Sequence, residues 1–469
     1  MTDISSSSLQ ADYLIVGAGA MGMAFADTML TETDASIIIV DKHHQPGGHW
    51  NNAYPYVRLH QPSAFYGVNS CHLGSDKIDT HGWNKGLFEL ATNSEVCAYF
   101  DKVMQQQFLT SGRVQYFPMC EYTGNSQFRS LVSSEVFTVS AQKVVDATYM
   151  NVTVPSMRAP SYAVDAGVAC VPPNELPKIS GQYNKFVVIG AGKTGMDACL
   201  FLLKHGVAAD AIDWIVPRDA WLLDRARIQP IGSLELSLAS GISAQLEAIV
   251  EAKSVEDLLH RVEKTGQLLR LDPSREPTMY RCATVTTAEL TQLRGIENVI
   301  RLGRVKSITP TTIELDQGAI ATSLQTLHID CTADGLERRP IQTVFDNNSI
   351  TLQSVRTCQQ VFSAAFIAHV EASYTDNAHK NMLCTPVPHP DSHIDFLRTT
   401  LASNLNGAQW SADADLQAWL TNARLDGFTS ADHVADMNDP AVQVSMQTLQ
   451  ATAQRATEQL QTLLAAIDK

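Results

Sequence analysis

Two six-residue glycine fingerprints carry the chemistry most legible in this chain: Gly17-Ala18-Gly19-Ala20-Met21-Gly22 and Gly190-Ala191-Gly192-Lys193-Thr194-Gly195. In such a motif the first glycine permits a tight turn, the second lets the backbone approach a pyrophosphate, and the third lets a helix pack closely on a strand. The phosphates then sit at the helix N-terminus. One copy is a weak signal, but two in the right context predict a chain that holds two dinucleotides and passes a hydride between them. The residues downstream distinguish the sites. Asp41, nineteen residues beyond Gly22, ends the apolar run Ser36 to Val40, where a carboxylate takes a ribose diol. The run Ala211 to Val216 ends instead in Pro217-Arg218. A carboxylate there would repel a 2'-phosphate whereas an arginine pairs with it, so the second site is expected to take NADPH rather than NADH. Lys193 is placed to approach the cofactor phosphate, and Arg225 and Arg227 to extend the clamp. The Gly-Lys-Thr string is no P-loop, because Val187 stands where the first glycine of GxxxxGK[ST] is needed.

These residues need strands and helices to position them. Tyr13 to Val16 and Phe186 to Ile189 are short apolar runs of the kind that form central strands of a parallel sheet. Ala20 to Leu30 contains one charge, Asp27, and Thr194 to Leu203 is similarly apolar before His205-Gly206, as helices covering a sheet should be. The fold class is therefore α/β, with two Rossmann-like dinucleotide-binding domains.

After Asp41-Lys42 come Gly47-Gly48-His49-Trp50 and then Tyr54-Pro55-Tyr56-Val57-Arg58. Here the chain resembles the class B flavin monooxygenases, the group of N-hydroxylating, flavin-containing and Baeyer-Villiger enzymes, whose FAD site carries a GGxW element followed by YPxxR. The resemblance implies FAD at the first site, with Lys42, Gly48, His49, Trp50, Arg58 and His60 joining Gly17 to Gly22 and Asp41, and NADPH at the second. It implies that the NADPH domain is inserted into the FAD domain. The crossings would be Val144 to Tyr149 and Leu327 to Gly335, with Asp-Ala-Thr and Cys-Thr-Ala standing for the family's ATG strings. The expected divisions are 1–165 for the first FAD-domain half, 166–325 for the NADPH domain with a helical insert at about 232–271, and 326–469 for the return and a helical tail. The implied chemistry is hydride transfer from the nicotinamide to the flavin. Oxygen then reacts to give a C4a-(hydro)peroxide that oxygenates a nitrogen, sulfur or carbonyl carbon of a small molecule.

Two departures bear on that last step. Arg58 is followed two positions later by His60, where the Baeyer-Villiger enzymes carry an aspartate, and an imidazole does not replace a carboxylate electrostatically. The linker Ser161 to Pro173 has neither the phenylalanine nor the histidine of the family's FxGxxxHxxx element. Oxygen insertion and plain electron transfer as a reductase or dehydrogenase thus both stay open. A nucleotide-binding redox sensor is disfavoured by two complete fingerprints. No single acid or base side chain is singled out as catalytic.

The remaining composition bounds the setting. At 469 residues with a net charge of -15, the chain is long enough for two or three domains, and its charge argues against a nucleic-acid or anionic-membrane surface. Met1 to Gln10 is polar and reads as a disordered leader rather than a secretory signal, and no apolar stretch is long enough to span a bilayer, so a cytoplasmic protein is expected. Nine scattered cysteines without CxxC argue against a dithiol reductase, and no Cys or His spacing suits a metal; His43-His44 reads as a solvated loop. Thr385 to Pro390 reads as an extended loop, at a pocket mouth or simply linking. The tail from Asp439-Pro440 has helical spacing for packing or for a homodimer surface.

Overall fold

In the computed structural model, which describes residues 6–230, 238–333, 335–427 and 440–467, each fingerprint joins a buried strand to a helix. Ser6–Val16 leads into the helix Ala20–Glu32, and Lys185–Ile189 into Lys193–Lys204. Each strand is the centre of its own parallel sheet. In the first, Ser6–Val16 lies between Ile37–Val40 and Val136–Asp146, in register Val16 with Val40 and with Asp146. In the second, Lys185–Ile189 lies between Ile212–Ile215 and Thr326–Asp330, with Ile189 opposite Ile215 and Asp330.

The two units repeat hydrogen bond for hydrogen bond. Gly17 N donates to Val40 O (2.8 Å) and Gly190 N to Ile215 O (3.0 Å); Ala147 N donates to Val16 O (3.0 Å) and Cys331 N to Ile189 O (2.9 Å). Both first glycines have positive φ, +103° and +121°, which an L side chain rarely adopts. A Cβ on Gly22 would run into the carbonyl oxygen of Gly17, and one on Gly195 into that of Gly190. The third glycine thus lets the helix start close over the turn.

The second sheet is assembled between two visits to the first. Its strands run from Cys170–Val171 to Thr326–Asp330, and the chain then returns as the hairpin Phe345–Asp346 and Ser349–Thr351, which adds to Val136–Asp146. Behind the first sheet the return helix Gln360–Ser373 packs along Ala20–Glu32; both are buried and nearly charge-free. Two small sheets complete the inserted part. Ala220–Asp224, Leu268–Arg270 and Met279–Val285 form one, and Ala163–Val164, Val305–Ile308, Thr312–Leu315 and Gly318–Ala321 the other.

Several expectations are corrected. The polar leader is a strand from Ser6 onward, paired residue by residue with Val136 to Ser140, because ladder hydrogen bonds come from the backbone and do not require apolar side chains. The insert is not helical throughout: Leu238–Glu251 and Val255–Lys264 are helices, but Leu268–Arg270 is a strand, and 232–237 lie outside the described residues. The stretch Asn298 to Val305 does not form one strand: it breaks at Gly303 (φ +82°), leaving Val299–Ile300 on the nucleotide sheet and Val305–Ile308 on another. Cys282 and Cys358, 76 residues apart in sequence, form a disulfide, whereas Cys120, Cys199, Cys331 and Cys384 are buried singly. The tail helix Pro440–Ile467 buries Ala456, Leu460 and Leu463 against Leu246, Ile249 and Leu397, while Leu449 stays exposed; Asp439 lies outside the described residues.

Gly22→Ala and Gly195→Ala are each expected to cost about 1–3 kcal/mol of stability through overpacking. Gly181→Ala, where an added Cβ meets nothing within 4 Å, should stay within about 0.5 kcal/mol of the parent. Urea unfolding measures all three, and equal costs would contradict the close turn-to-helix approach.

Candidate functional site

The first fingerprint faces a second glycine turn. Gly47 N donates to Ala18 O (2.9 Å), and a Cβ on Gly48, whose φ is +56°, would come to 2.9 Å from the Cα of Gly19. Two glycine backbones thus approach each other at the helix N-terminus, as a cradle for a phosphate requires. Asp41, buried at the end of Ile37–Val40, accepts from Ala18 N (2.6 Å) and from the backbone N and Nδ1 of His43 (2.7 and 2.8 Å). Its carboxylate is held beside the turn. His43 also meets Asn52 Nδ2 through Nε2 (3.0 Å), so it is a bracket for this loop and not a solvated residue; His44 is exposed.

The other first-site candidates divide. Ala18 and Met21 are buried and Ala20 half-buried along the turn and helix start. His49 lies against Trp50, with ring centres 5.4 Å apart, and burial pushes its imidazole down to about 4. Trp50 is turned into the core, where its indole N–H donates to Tyr66 Oη (2.7 Å) and its ring meets the Tyr66 edge. Lys42 is exposed. Arg58 is exposed, and its guanidinium donates to Leu90 O (3.2 Å).

At the second fingerprint, a Cβ on Gly192 would meet nothing within 4 Å, so open space stands over the N-terminus of Lys193–Lys204. Thr194 is half-buried there. Lys193 is paired with Asp197 one turn along, and Asp197 also accepts from Tyr54 Oη (2.7 Å), which ties the YPxxR segment of the first unit to the fingerprint helix of the second. His60 lies near this junction. Burial first, and then the charges of Lys193 and Arg225, hold its imidazole well below the ordinary value, so it is neutral. Arg225 is fully buried and donates to His60 O (2.8 Å) and Asn84 Oδ1 (3.2 Å), with Glu289 Oε2 at 3.0 Å. It is a brace between the units and not a phosphate clamp, because its donors are taken up inside the protein.

Arg218 stands just past the end of Ile212–Ile215. Its guanidinium makes a two-point contact with Asp391, Nη1 to Oδ2 at 3.1 Å and Nη2 to Oδ1 at 2.8 Å. Arg281 Nε donates to the same Oδ1 (2.7 Å). The hydrogen bonds from Arg218, followed by those from Arg281, hold the Asp391 carboxyl well below the usual range.

A cavity of about 260 Å³ opens where the crossings end. Its wall includes Tyr149 and Met150 from the first crossing, Arg338 from beyond the second, Gln353 from the return, and Pro388 and His389 from the extended loop, which therefore shapes a pocket. Burial pushes the His389 imidazole down to about 4. A second cavity, of about 520 Å³, lies at the carboxyl ends of the first sheet's strands beside Val16, Asp146, Thr148 and Thr351.

Tyr54, Asp197 and Asp391 were missed by the sequence reading, and only their tertiary neighbours identify them. One signal was present and misaligned. The two crossings match as Asp146-Ala147-Thr148 with Asp330-Cys331-Thr332, not with Cys-Thr-Ala. In each, the aspartate Oδ1 accepts from the threonine hydroxyl two residues on, at 2.7 and 2.6 Å, and from its backbone N, at 2.8 and 3.2 Å. Among the described residues no group of His, Cys, Asp or Glu is placed to hold a metal, and no helix is long and apolar enough to cross a membrane.

Comparison with known proteins adds the following. Residues 15–75 match the model of an NAD(P)-binding Rossmann-like domain. Uncharacterized proteins of Mycobacterium tuberculosis (strain H37Rv) and Mycobacterium bovis are 54% identical to this chain over 420 residues, covering 90% of it and 78% of each relative. Cyclohexanone monooxygenase in its epsilon-caprolactone-bound crystal structure superposes with a TM-score of 0.50 at 13% identity, over 78% of this chain and 87% of that one. That likeness establishes the two-Rossmann fold of the class B flavin monooxygenases.

The half-buried His49 gives stability a direction with pH. Its folded value of about 4 lies below the ordinary imidazole value, so in between the unfolded chain binds a proton that the folded chain does not. The stability that follows is present above about pH 6.5 and lost as pH falls towards 4. His49→Gln should have a melting temperature that changes less between these limits than the parent's. An unchanged pH slope would contradict a neutral half-buried imidazole.

Proposed function

Because the chain belongs to one family with these mycobacterial proteins and has the fold of the class B flavin monooxygenases, we propose that it is an FAD-dependent, NADPH-using oxidoreductase acting on a small molecule. We further propose oxygen insertion as its reaction. The observation that carries the reading is the repetition of one glycine turn, bond for bond, at the carboxyl ends of two parallel sheets in a single chain. Ligands of open α/β sheets bind at this edge.

The residues present fit both groups. For FAD, Gly17, Gly19 and Gly48 form the cradle, Asp41 stands at the ribose position, and Ala18, Ala20, Met21 and Gly22 set the turn and helix start. For NADPH, the open space at Gly192 takes the pyrophosphate, Gly190 and Gly195 set the turn, Thr194 flanks it, and Arg218 is the cation for the 2'-phosphate. When bound, the nicotinamide supplies a hydride and the flavin passes electrons to oxygen or to a substrate. The chain's own part is binding, orientation and exclusion of water. Tyr54 and Asp197 fix Lys193, and with it the fingerprint helix, to the first unit, while Arg225 fixes the His60 segment to the second. Neutral His60 offers this junction no carboxylate, a difference from the Baeyer-Villiger pattern. The 260 Å³ cavity, bounded by Tyr149 of the first crossing, by Arg338 beyond the second and by Pro388 and His389, is the proposed substrate pocket.

A specific observation favours electron transfer without oxygen insertion as the second reading. The linker lacking FxGxxxHxxx serves as sheet edge: Ala163–Val164 pairs with Val305–Ile308, and Cys170–Val171 with Thr326–Asp330. The deciding experiment follows NADPH consumption, oxygen uptake and product mass in purified, FAD-loaded protein over a panel of amines, sulfides and ketones. Product gaining one oxygen atom is expected. Turnover only with an added electron acceptor would favour the second reading, and failure to take up FAD at all would exclude both. Gly192→Ala should fill the open space and raise the NADPH KM about tenfold or more while leaving the melting temperature unchanged, since the added carbon meets cofactor and not protein.

A further inference from the structure

We infer that Asp391 is the residue that sets this chain's preference between the phosphorylated and unphosphorylated nicotinamide dinucleotides, by competing with the 2'-phosphate for Arg218. The inference rests on the NADPH reading of the second fingerprint. In sequence Arg218 is followed by Asp219, whose carboxylate accepts from Arg301 Nε (2.8 Å) and Nη2 (3.0 Å), while the fold brings a different carboxylate to Arg218 from 173 residues away.

Three observations make Asp391 a competitor rather than a passing contact. It covers the guanidinium through both Nη atoms, at 3.1 and 2.8 Å, the two-point geometry that a phosphate oxygen pair would also take. It is fixed in place from its backbone, since Asp391 O accepts from Tyr280 N (2.9 Å) and Asp391 N donates to Asp395 Oδ2 (3.0 Å). It also has other cations. Arg281 Nε stays on Oδ1 at 2.7 Å and Arg338 Nη1 lies 4.0 Å from Oδ2, so losing Arg218 to a phosphate would not strand the carboxylate. Exchange of Arg218 from one anion to the other is therefore possible without rebuilding the segment. The negative charge left nearby opposes a 2'-phosphate and is indifferent to a ribose hydroxyl. Asp391 follows directly on the loop whose Pro388 and His389 line the 260 Å³ cavity, so the anion site stands next along the chain to the pocket wall.

The test is calorimetric binding of NADP+ and NAD+ to the FAD-loaded protein and to Asp391→Asn and Asp391→Ser, two neutral replacements of different length that retain hydrogen-bonding groups. Both variants are expected to tighten NADP+ about fivefold or more, as loss of a like charge beside the phosphate should, while NAD+ stays within about twofold. In an Arg218→Gln background, Asp391→Asn should give no such gain. Unchanged or weakened NADP+ binding in the folded variants, an equal change for NAD+, or a gain that persists without Arg218 would each overturn the inference. A parent that binds neither dinucleotide would instead overturn the NADPH reading on which it rests.

Discussion

The absence of one carbon atom at Gly22, and again at Gly195, is the constraint on which the remainder depends. With a Cβ there, the helix could not start over the carbonyl of Gly17 or Gly190, and its N-terminal amides would be carried away from the carboxyl edge of the sheet. The strand, turn and helix are held together by backbone groups that have no freedom to compensate, since the first glycine is already in a conformation that favours glycine. Everything that binds at these edges relies on that closeness. The crossing strands rely on it too, because Ala147 and Cys331 follow the two fingerprint strands in the same hydrogen-bond register.

Given two such turns, the chain still has to fix them relative to each other, and it does so with polar groups beside an apolar core. In that core Trp221, Leu246 and Ile249 of the inserted unit pack with Phe396, Leu397 and Leu460 of the return. Tyr54 reaches Asp197, and buried Arg225 reaches His60, Asn84 and Glu289. A buried, multiply hydrogen-bonded guanidinium is costly to leave incomplete, which makes such a junction specific in geometry. Aromatic packing supports it, as Tyr56 lies against Tyr54 on one side and Phe201 on the other. The electrostatics at this junction are those of a neutral imidazole between cations and do not reproduce a carboxylate at His60. The Baeyer-Villiger arrangement is therefore absent here in charge as well as in sequence.

The third grouping lies around Asp391. Arg218 from the inserted unit, Arg281 from Met279–Val285 and Arg338 from the return converge on one carboxylate at the end of the loop that walls the cavity. Shared ion pairs of this kind contribute little stability when half exposed, so their main effect is on position.

What the sequence determined is what local backbone geometry and short apolar runs determine: both glycine turns, their strands and helices, and Asp41 and Arg218 at strand ends, whereas the interrupted order of the two sheets was legible only through the family resemblance. The local features follow from steric limits that act within a few tens of residues. Tertiary structure decided the rest. It turned Trp50 into the core, set Arg58 on Leu90, made Arg225 a brace, drew the polar leader into a strand, and set a distant carboxylate on Arg218. Side chains of that kind are aimed by partners from 16 to 173 residues away, or by a neighbouring strand's backbone, and neither partner is visible in local pattern.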